Sequence, residues 1–327
     1  MPSLQIETRC WPLSEPFAIS RGVQSGVDCI IVTLIDPQGR RGRGEGCGVP
    51  YAGETPQTMI PQIEAVRSAI EAGISREALL DILPPGGARC ALDAALWDLE
   101  AKASGRSVFE RAGVGAPKPL KTAYSIGIRA IPAYRGAAEA HAGFAVLKIK
   151  VDASDPVGAV AAARRGAPNA AFIVDPNQAW SVEALKAFAP QMADLGVVLL
   201  EQPIRVGDEA GLEGYRCPVK LCADELINDA SDLAKAKGRF DVINIKLDKA
   251  GGLTSGLRLA QAARQEGFDL MVGCMAGSSL SMAPAFVLGQ QCSFVDLDGP
   301  LLHSEDWPDG MIYRDGVAEP PNPSFWG

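Results

Sequence analysis

Two rhythms of apolar and polar positions run along the chain. The first is strand-like and occupies the start: residues 4–11 and 27–36 read as strands, the second rich in Ile and Val and ended by the turn Asp36-Pro37-Gln38-Gly39. Between them Phe17–Gly22, with its glycine and the small and polar residues that follow, reads as a mobile loop. Arg41–Gly48 lacks the G-x-x-x-x-G-K-[ST] of a phosphate loop, so it reads as a third strand whose small residues permit close packing. Three helical patterns follow. Thr55-Pro56 caps the first, which runs to about residue 72; Ser75 caps the second, which ends before Pro84-Pro85. The third spans 87–104, with Ala91, Leu92, Ala95, Leu96 and Leu99 at helical spacing and Gly105 as its stop. Strands followed by helices make residues 1–115 an α+β domain, with 113–119 as its linker.

The second rhythm begins near Lys121. Short apolar runs recur, and most end in a charged residue: Lys150, Asp175, Glu201, Asp224, Lys246, then Gly273 and Asp296, at spacings of 22 to 27 residues. Such a period fits one strand, one helix and two short loops. Helix starts at Ser154-Asp155-Pro156 and Ser181 and helices over 229–237 and 252–266 fill the intervals. Repeated units of this kind predict an α/β fold, a (β/α)7β TIM-like barrel over 116–302, capped by the N-terminal α+β domain. The proline-bearing residues 303–327 are expected to pack back on that domain. In such barrels function sits at the carboxyl ends of the strands, where these charged residues fall.

Composition narrows the classes. The chain has 327 residues, 47% hydrophobic, with net charge −8, and no basic stripe, which speaks against a nucleic-acid partner. No apolar run reaches the length of a membrane span, and residues 1–7 lack the features of a signal peptide, so a cytoplasmic protein without a membrane partner is expected. Eight cysteines form no C-x-x-C, consistent with buried free thiols. His141 and His303 are the only histidines and neither ends a periodic strand, so a histidine base or triad is not expected. Nothing fixes the chain as a monomer or a homo-oligomer.

Chemistry follows from the strand ends. Carboxylates gathered at neighbouring ends repel unless a cation lies between them, and oxygen ligands without His or Cys select Mg²⁺ or Mn²⁺. Asp175, Glu201 and Asp224 are therefore candidate metal ligands. Lys148 and Lys150 share one face of their strand. Lys150 and Lys246, on strands facing each other across a barrel, reach both faces of one substrate carbon. Lys148 supplies a second charge that is expected to lower the pKa of the base.

The ordered set Lys148-Ile149-Lys150, Ile173-Val174-Asp175, Leu200-Glu201-Gln202-Pro203, Cys222-Ala223-Asp224-Glu225, Ile243–Lys249 with Gly251-Gly252, and Asp296-Leu297-Asp298-Gly299-Pro300 resembles the muconate-lactonizing subgroup of the enolase superfamily, most closely its dipeptide epimerases. Arg89–Leu99 carries the resemblance into the first domain. It implies Mg²⁺-dependent epimerisation of a dipeptide at the Cα of its C-terminal residue, L-Ala-D/L-Glu or a related L-Ala-L-Xaa. Lys150 and Lys246 then resemble the acid/base pair and Lys148 its electrostatic helper. By the same resemblance Asp296 and Asp298 hold the α-ammonium group. Arg21, on a loop that closes over the substrate, meets a side-chain carboxylate or else is a solvated loop arginine. Cycloisomerisation and β-elimination of the o-succinylbenzoate synthase type are alternative outcomes on the same site. Gly273–Ser279 and Tyr124-Ser125 depart from the family pattern and bear on which side chains fit.

Overall fold

The computed structural model describes residues 2–327; Met1, the first residue of the expected capping domain, lies outside them. The first domain opens with a long antiparallel hairpin, Ser3–Ile19 against Gly22–Ile35, with a register shift between Pro12 and Phe17. The stretch expected as a loop is thus the hairpin tip: Phe17 pairs with Gln24, Ala18 with Val23 and Ile19 with Gly22. Its backbone stays extended because it is tied down, with Ala18 O accepting from Ile128 N at 2.8 Å. Arg41–Gly46 forms the third strand. On it a Cβ at Gly42, Gly44 or Gly46 would stand 2.2, 2.1 or 2.2 Å from the carbonyl oxygens of Ala95, Ala91 and Gly87. Only glycine lets the helix Gly87–Ser104 lie directly on this strand. The helix expected over 55–72 is two pieces, Pro56–Ala65 and Arg67–Glu71, because Val66 leaves helical backbone (φ −111°, ψ 8°).

Eight parallel strands make the barrel: Ala123–Ile126, Val146–Lys150, Ala171–Asp175, Val197–Glu201, Lys220–Ala223, Val242–Lys246, Asp269–Gly273 and Phe294–Val295. Each pairs with the next, and side chains bridge the first and eighth: Leu297 N donates to Thr122 Oγ1 at 2.8 Å and Ser125 N to Asp298 Oδ2 at 2.7 Å. Helices cover the outside, with one departure. After the fourth strand the crossover holds only the 3-10 turn Glu209–Leu212, in a stretch punctuated by Pro203, Gly207, Gly211 and Gly214. The helix expected over 229–237 shortens to Ala230–Asp232 and Leu233–Ala236, and the one over 252–266 to Leu253–Gln265.

Strand alternation divides the barrel into a filled interior and an outer layer. Ala123, Ile173, Leu199, Cys222, Val242 and Met271 pack together inside, while Leu147, Ile149, Phe172, Val174 and Ile245 join the larger core between strands and helices. On the second strand Val146, Lys148 and Lys150 therefore share the inward face, with the lysines nearer its carboxyl end. The chain returns to the first domain at its end: Trp326 Nε1 donates to Arg43 O at 3.0 Å and Gly327 N to Asp98 Oδ1 at 2.7 Å. No helix among the described residues is long and apolar enough to cross a membrane.

Candidate active site

The charged strand ends meet at the carboxyl end of the barrel, below a cavity of about 420 Å³. Lys148, Lys150 and Lys246 line it, with Ser125, Asn177, Cys274, Met275, Asp296 and Asp298 from the barrel. The first domain contributes Phe17, Ile19, Arg21, Val23 and Tyr51. The second and sixth strands of an eight-stranded barrel lie opposite each other, so Lys150 and Lys246 enter one space from opposite walls. Gly273, the register partner of Lys246, leaves room for that lysine: a Cβ there would lie 3.1 Å from Lys246 Cε and 2.8 Å from the Asn244 amide.

Beneath the cavity floor the acids are fully buried, at 0%, 0% and 1% exposure for Asp175, Glu201 and Asp224. Lys148 Nζ stands 2.7 Å from Glu201 Oε2, 2.8 Å from Asp296 Oδ2 and 3.2 Å from Asp175 Oδ2. Lys150 Nζ lies 2.5 Å from Asp175 Oδ2 and donates to Asn177 Oδ1 at 3.1 Å. Asp224 is held from two sides, by Lys246 at 2.8 Å and Lys249 at 2.7 Å. Among the described residues no three acid, imidazole or thiol groups converge into a ready cage for an ion. Ammonium groups occupy the space between these carboxylates.

Charge governs how these groups titrate. Burial, reinforced by Asp175, pushes the Glu201 carboxyl up to about 7. Asp175 is held down at about 2, because Lys150 and Lys148 outweigh its burial. For Lys148 and Lys246 burial and the surrounding charge act in opposite directions. Burial disfavours the charge on Lys148 and Lys246, yet the carboxylates around them prevail and both are held above the ordinary lysine value. Lys148 still depresses Lys246, but Asp224, Glu201 and Glu225 together outweigh it.

A hard divalent cation fits the donor set. The buried acids present oxygen only, and Glu201 Oε2, although near Lys148, has no aligned hydrogen bond. Asp296 Oδ1 is likewise buried without a partner. At this end of the cavity Asp298 accepts from Ser125 N, and burial with Asp296 beside it raises its carboxyl to about 7.

Arg21 stands at the other end, on the two-residue turn of the hairpin. It is not free in solvent: Nη1 donates to Glu225 Oε1 at 2.5 Å and its guanidinium lies 4.9 Å from the Tyr51 ring centre. Sequence reasoning misses Asn177, Glu225 and Lys249 as site residues, although Glu225 and Lys249 sit in runs quoted above and Asn177 lies two positions past Asp175. Asp175-Pro176-Asn177 has the composition of a plain turn, and the left-handed backbone of Asn177 (φ 46°) and its contacts to both Lys150 and Glu225 appear only in three dimensions. The histidines lie away from the cavity, His303 Nε2 standing 2.8 Å from Ala276 O and His141 stacked on Tyr124. The eight cysteines are free; Cys10 is exposed and Cys274 reaches the cavity.

Comparison with known proteins places this geometry among relatives. Residues 133–323 match the family model described as enolase C-terminal domain-like, and residues 2–113 match the mandelate racemase / muconate lactonizing enzyme N-terminal domain. The L-Ala-D/L-Glu epimerase of Escherichia coli is 41% identical over 97% of this chain and 99% of its own. The N-acetyl-D-glutamate racemase of a Pseudoalteromonas species is 40% identical over 85% of this chain and 90% of its own. Among solved structures, an enolase family member from Agrobacterium tumefaciens with homology to dipeptide epimerases, with bound sodium and L-Ala-L-Glu, superposes with TM-score 0.97 at 39% identity over the whole of both chains. A dipeptide epimerase from Methylococcus capsulatus complexed with Mg and L-Arg-D-Lys gives TM-score 0.87 at 28% identity, over 97% of this chain and 96% of that one.

Proposed function

This chain belongs to the mandelate racemase / muconate lactonizing enzyme family of the enolase superfamily, and from that membership we propose a Mg²⁺-dependent dipeptide epimerase acting at the Cα of the C-terminal residue. The observation that carries the reading is the entry of Lys150 and Lys246 from opposite walls into one cavity whose end is lined by Asp296 and Asp298. A 1,1-proton transfer needs that arrangement. One amine takes the Cα proton from one face, and the opposite ammonium returns a proton to the other, inverting the centre.

The remaining residues serve that exchange. Lys148 places positive charge where the substrate carboxylate gathers electron density. Asp296 and Asp298 accept from the dipeptide's α-ammonium group in charge-assisted hydrogen bonds. Asp175, Glu201 and Asp224 would hold Mg²⁺, which supplies positive charge against the enediolate oxygens. Charge balance supports a divalent ion. Asp175, Glu201, Asp224, Glu225, Asp296 and Asp298 outnumber Lys148, Lys150, Lys246, Lys249 and Arg21, and more so once one lysine is the neutral amine that takes the Cα proton. A dipeptide ending in glutamate adds further negative charge, which a divalent cation offsets.

Substrates of the alternative outcomes do not use the whole site. An N-acylglutamate, or the acids processed by cycloisomerases and o-succinylbenzoate synthases, has no ammonium group for Asp296 and Asp298. A cytoplasmic setting and dipeptides released in muropeptide recycling suit an L-Ala-Glu substrate. Incubation of L-Ala-L-Glu, related L-Ala-L-Xaa dipeptides and N-acetyl-L-glutamate in D₂O with Mg²⁺ tests the reading. Deuterium is expected at Cα of the dipeptides with loss of optical purity, abolished by EDTA. Exchange confined to the N-acyl compound would overturn it.

A further inference from the structure

We propose that Glu225 determines side-chain selectivity at the C-terminal subsite by holding Arg21 in place and cancelling its charge, so that neutral side chains are admitted alongside glutamate. This rests on the dipeptide reading above. Arg21 reaches across from the hairpin tip, and its side chain is 33% exposed, whereas that of Glu225 is 2% exposed. Arg21 Nη1 donates to Glu225 Oε1 at 2.5 Å, and Asn177 Nδ2 donates to the same oxygen at 3.3 Å. The other oxygen, Oε2, is buried with no partner. The tip is pinned where it stands, since Ser20 Oγ donates to Asn177 O at 3.2 Å and Tyr51 flanks the guanidinium.

Two consequences follow from guanidinium chemistry. Arg21 has five N–H donors and Glu225 takes one, so donors remain for a ligand lining the cavity. The pair as a whole is neutral, however, and a substrate carboxylate approaching Arg21 also meets the fixed negative charge of Glu225. At that range inside a protein, like-charge repulsion offsets most of the attraction that an isolated arginine exerts. The amide of a glutamine side chain feels no such penalty and can use the same donors. Selectivity is a difference between two affinities, and Glu225 acts on only one of them.

Calorimetric titration of L-Ala-L-Glu and L-Ala-L-Gln into the Mg²⁺-loaded wild type and E225Q tests this, with Cα deuterium exchange read in the same samples. The wild type is expected to prefer glutamate by less than roughly tenfold, against about a hundredfold for an unopposed arginine. Glu225→Gln keeps acceptors for Arg21 and Asn177 while removing the charge. It is expected to tighten L-Ala-L-Glu by about tenfold and leave L-Ala-L-Gln within about twofold. A wild-type preference of a hundredfold or more overturns the proposal even if E225Q fails to fold. So does E225Q weakening both ligands alike, or changing neither. Exchange with an unchanged ratio rejects the role of Glu225 alone; the expected shift in binding without exchange rejects epimerisation alone.

Discussion

At one end of the cavity Asp296 and Asp298 follow directly on the eighth barrel strand, 4% and 2% exposed, and tied to Lys148 and to the backbone N–H of Ser125. At the other end Arg21 sits on an exposed hairpin tip of the first domain, with Tyr51 and Glu225 as its neighbours. The first end has its charge fixed by strands that cannot move without opening the barrel. The second has its charge already paired and is carried on an arm held by a few polar contacts. Rigid, undercompensated charge suits a group present in every substrate, such as an ammonium. A neutralised charge on a separate arm suits the part of the substrate that varies.

Three measurements break or sharpen that contrast, beginning with the floor both ends share. Replacing Lys150 or Lys246 with Met is expected to lower kcat for epimerisation by about 10²–10⁴-fold. Because each lysine serves one face, single-turnover exchange should fail selectively for one stereoisomer in each variant. Equal, small losses in both would show that neither amine meets Cα.

The rigid end comes next. Burial and Asp296 raise the Asp298 carboxyl to about 7, so the pair binds a proton below that pH and carries its full charge above it. Dipeptide kcat/KM is therefore expected to climb as pH rises towards 7. Asp298→Asn should remove that limb and cost about ten- to a hundredfold in kcat/KM, mostly through KM. A pH profile identical to wild type would remove the ammonium role from this aspartate.

The smallest effect belongs to the arm. Arg21→Met is expected to reduce kcat/KM for L-Ala-L-Glu by only about three- to tenfold, with a lesser change for L-Ala-L-Gln, because the guanidinium enters the site already paired. A loss of a hundredfold confined to the glutamate dipeptide would show Arg21 acting unopposed, and the two ends of the cavity would then be alike.

The contrast also marks what was legible in the chain. Lys150, Asp175, Glu201 and Lys246 each end a barrel strand, and Asp224 and Asp296 each follow one directly, so a period of 22 to 27 residues sufficed to bring them to one rim. The glycine spacing of Arg41–Gly46 likewise announced a closely packed strand, and the helix over 87–104 has the expected bounds. The hairpin tip read as a loop because its pairing is set by contacts to residues more than a hundred positions away, among them Ile128 and Asn177. Raised lysine pKa values were hidden for the same reason. Neighbours along a strand place Lys148 beside Lys150, whereas the acids that dominate Lys148 sit on or beside other strands.

Sequence by itself determined the barrel, the capping domain and the identity of the charged groups at the rim. Periodicity and local turn chemistry are properties of adjacent residues, and they fix which face of each strand looks inward. Tertiary structure alone decided how those charges pair: Lys148 among three acids, Asp224 between two lysines, Arg21 on Glu225. Electrostatic energy in a buried site depends on distances between groups far apart in the chain and on the water removed around them, and both exist only once the barrel has closed.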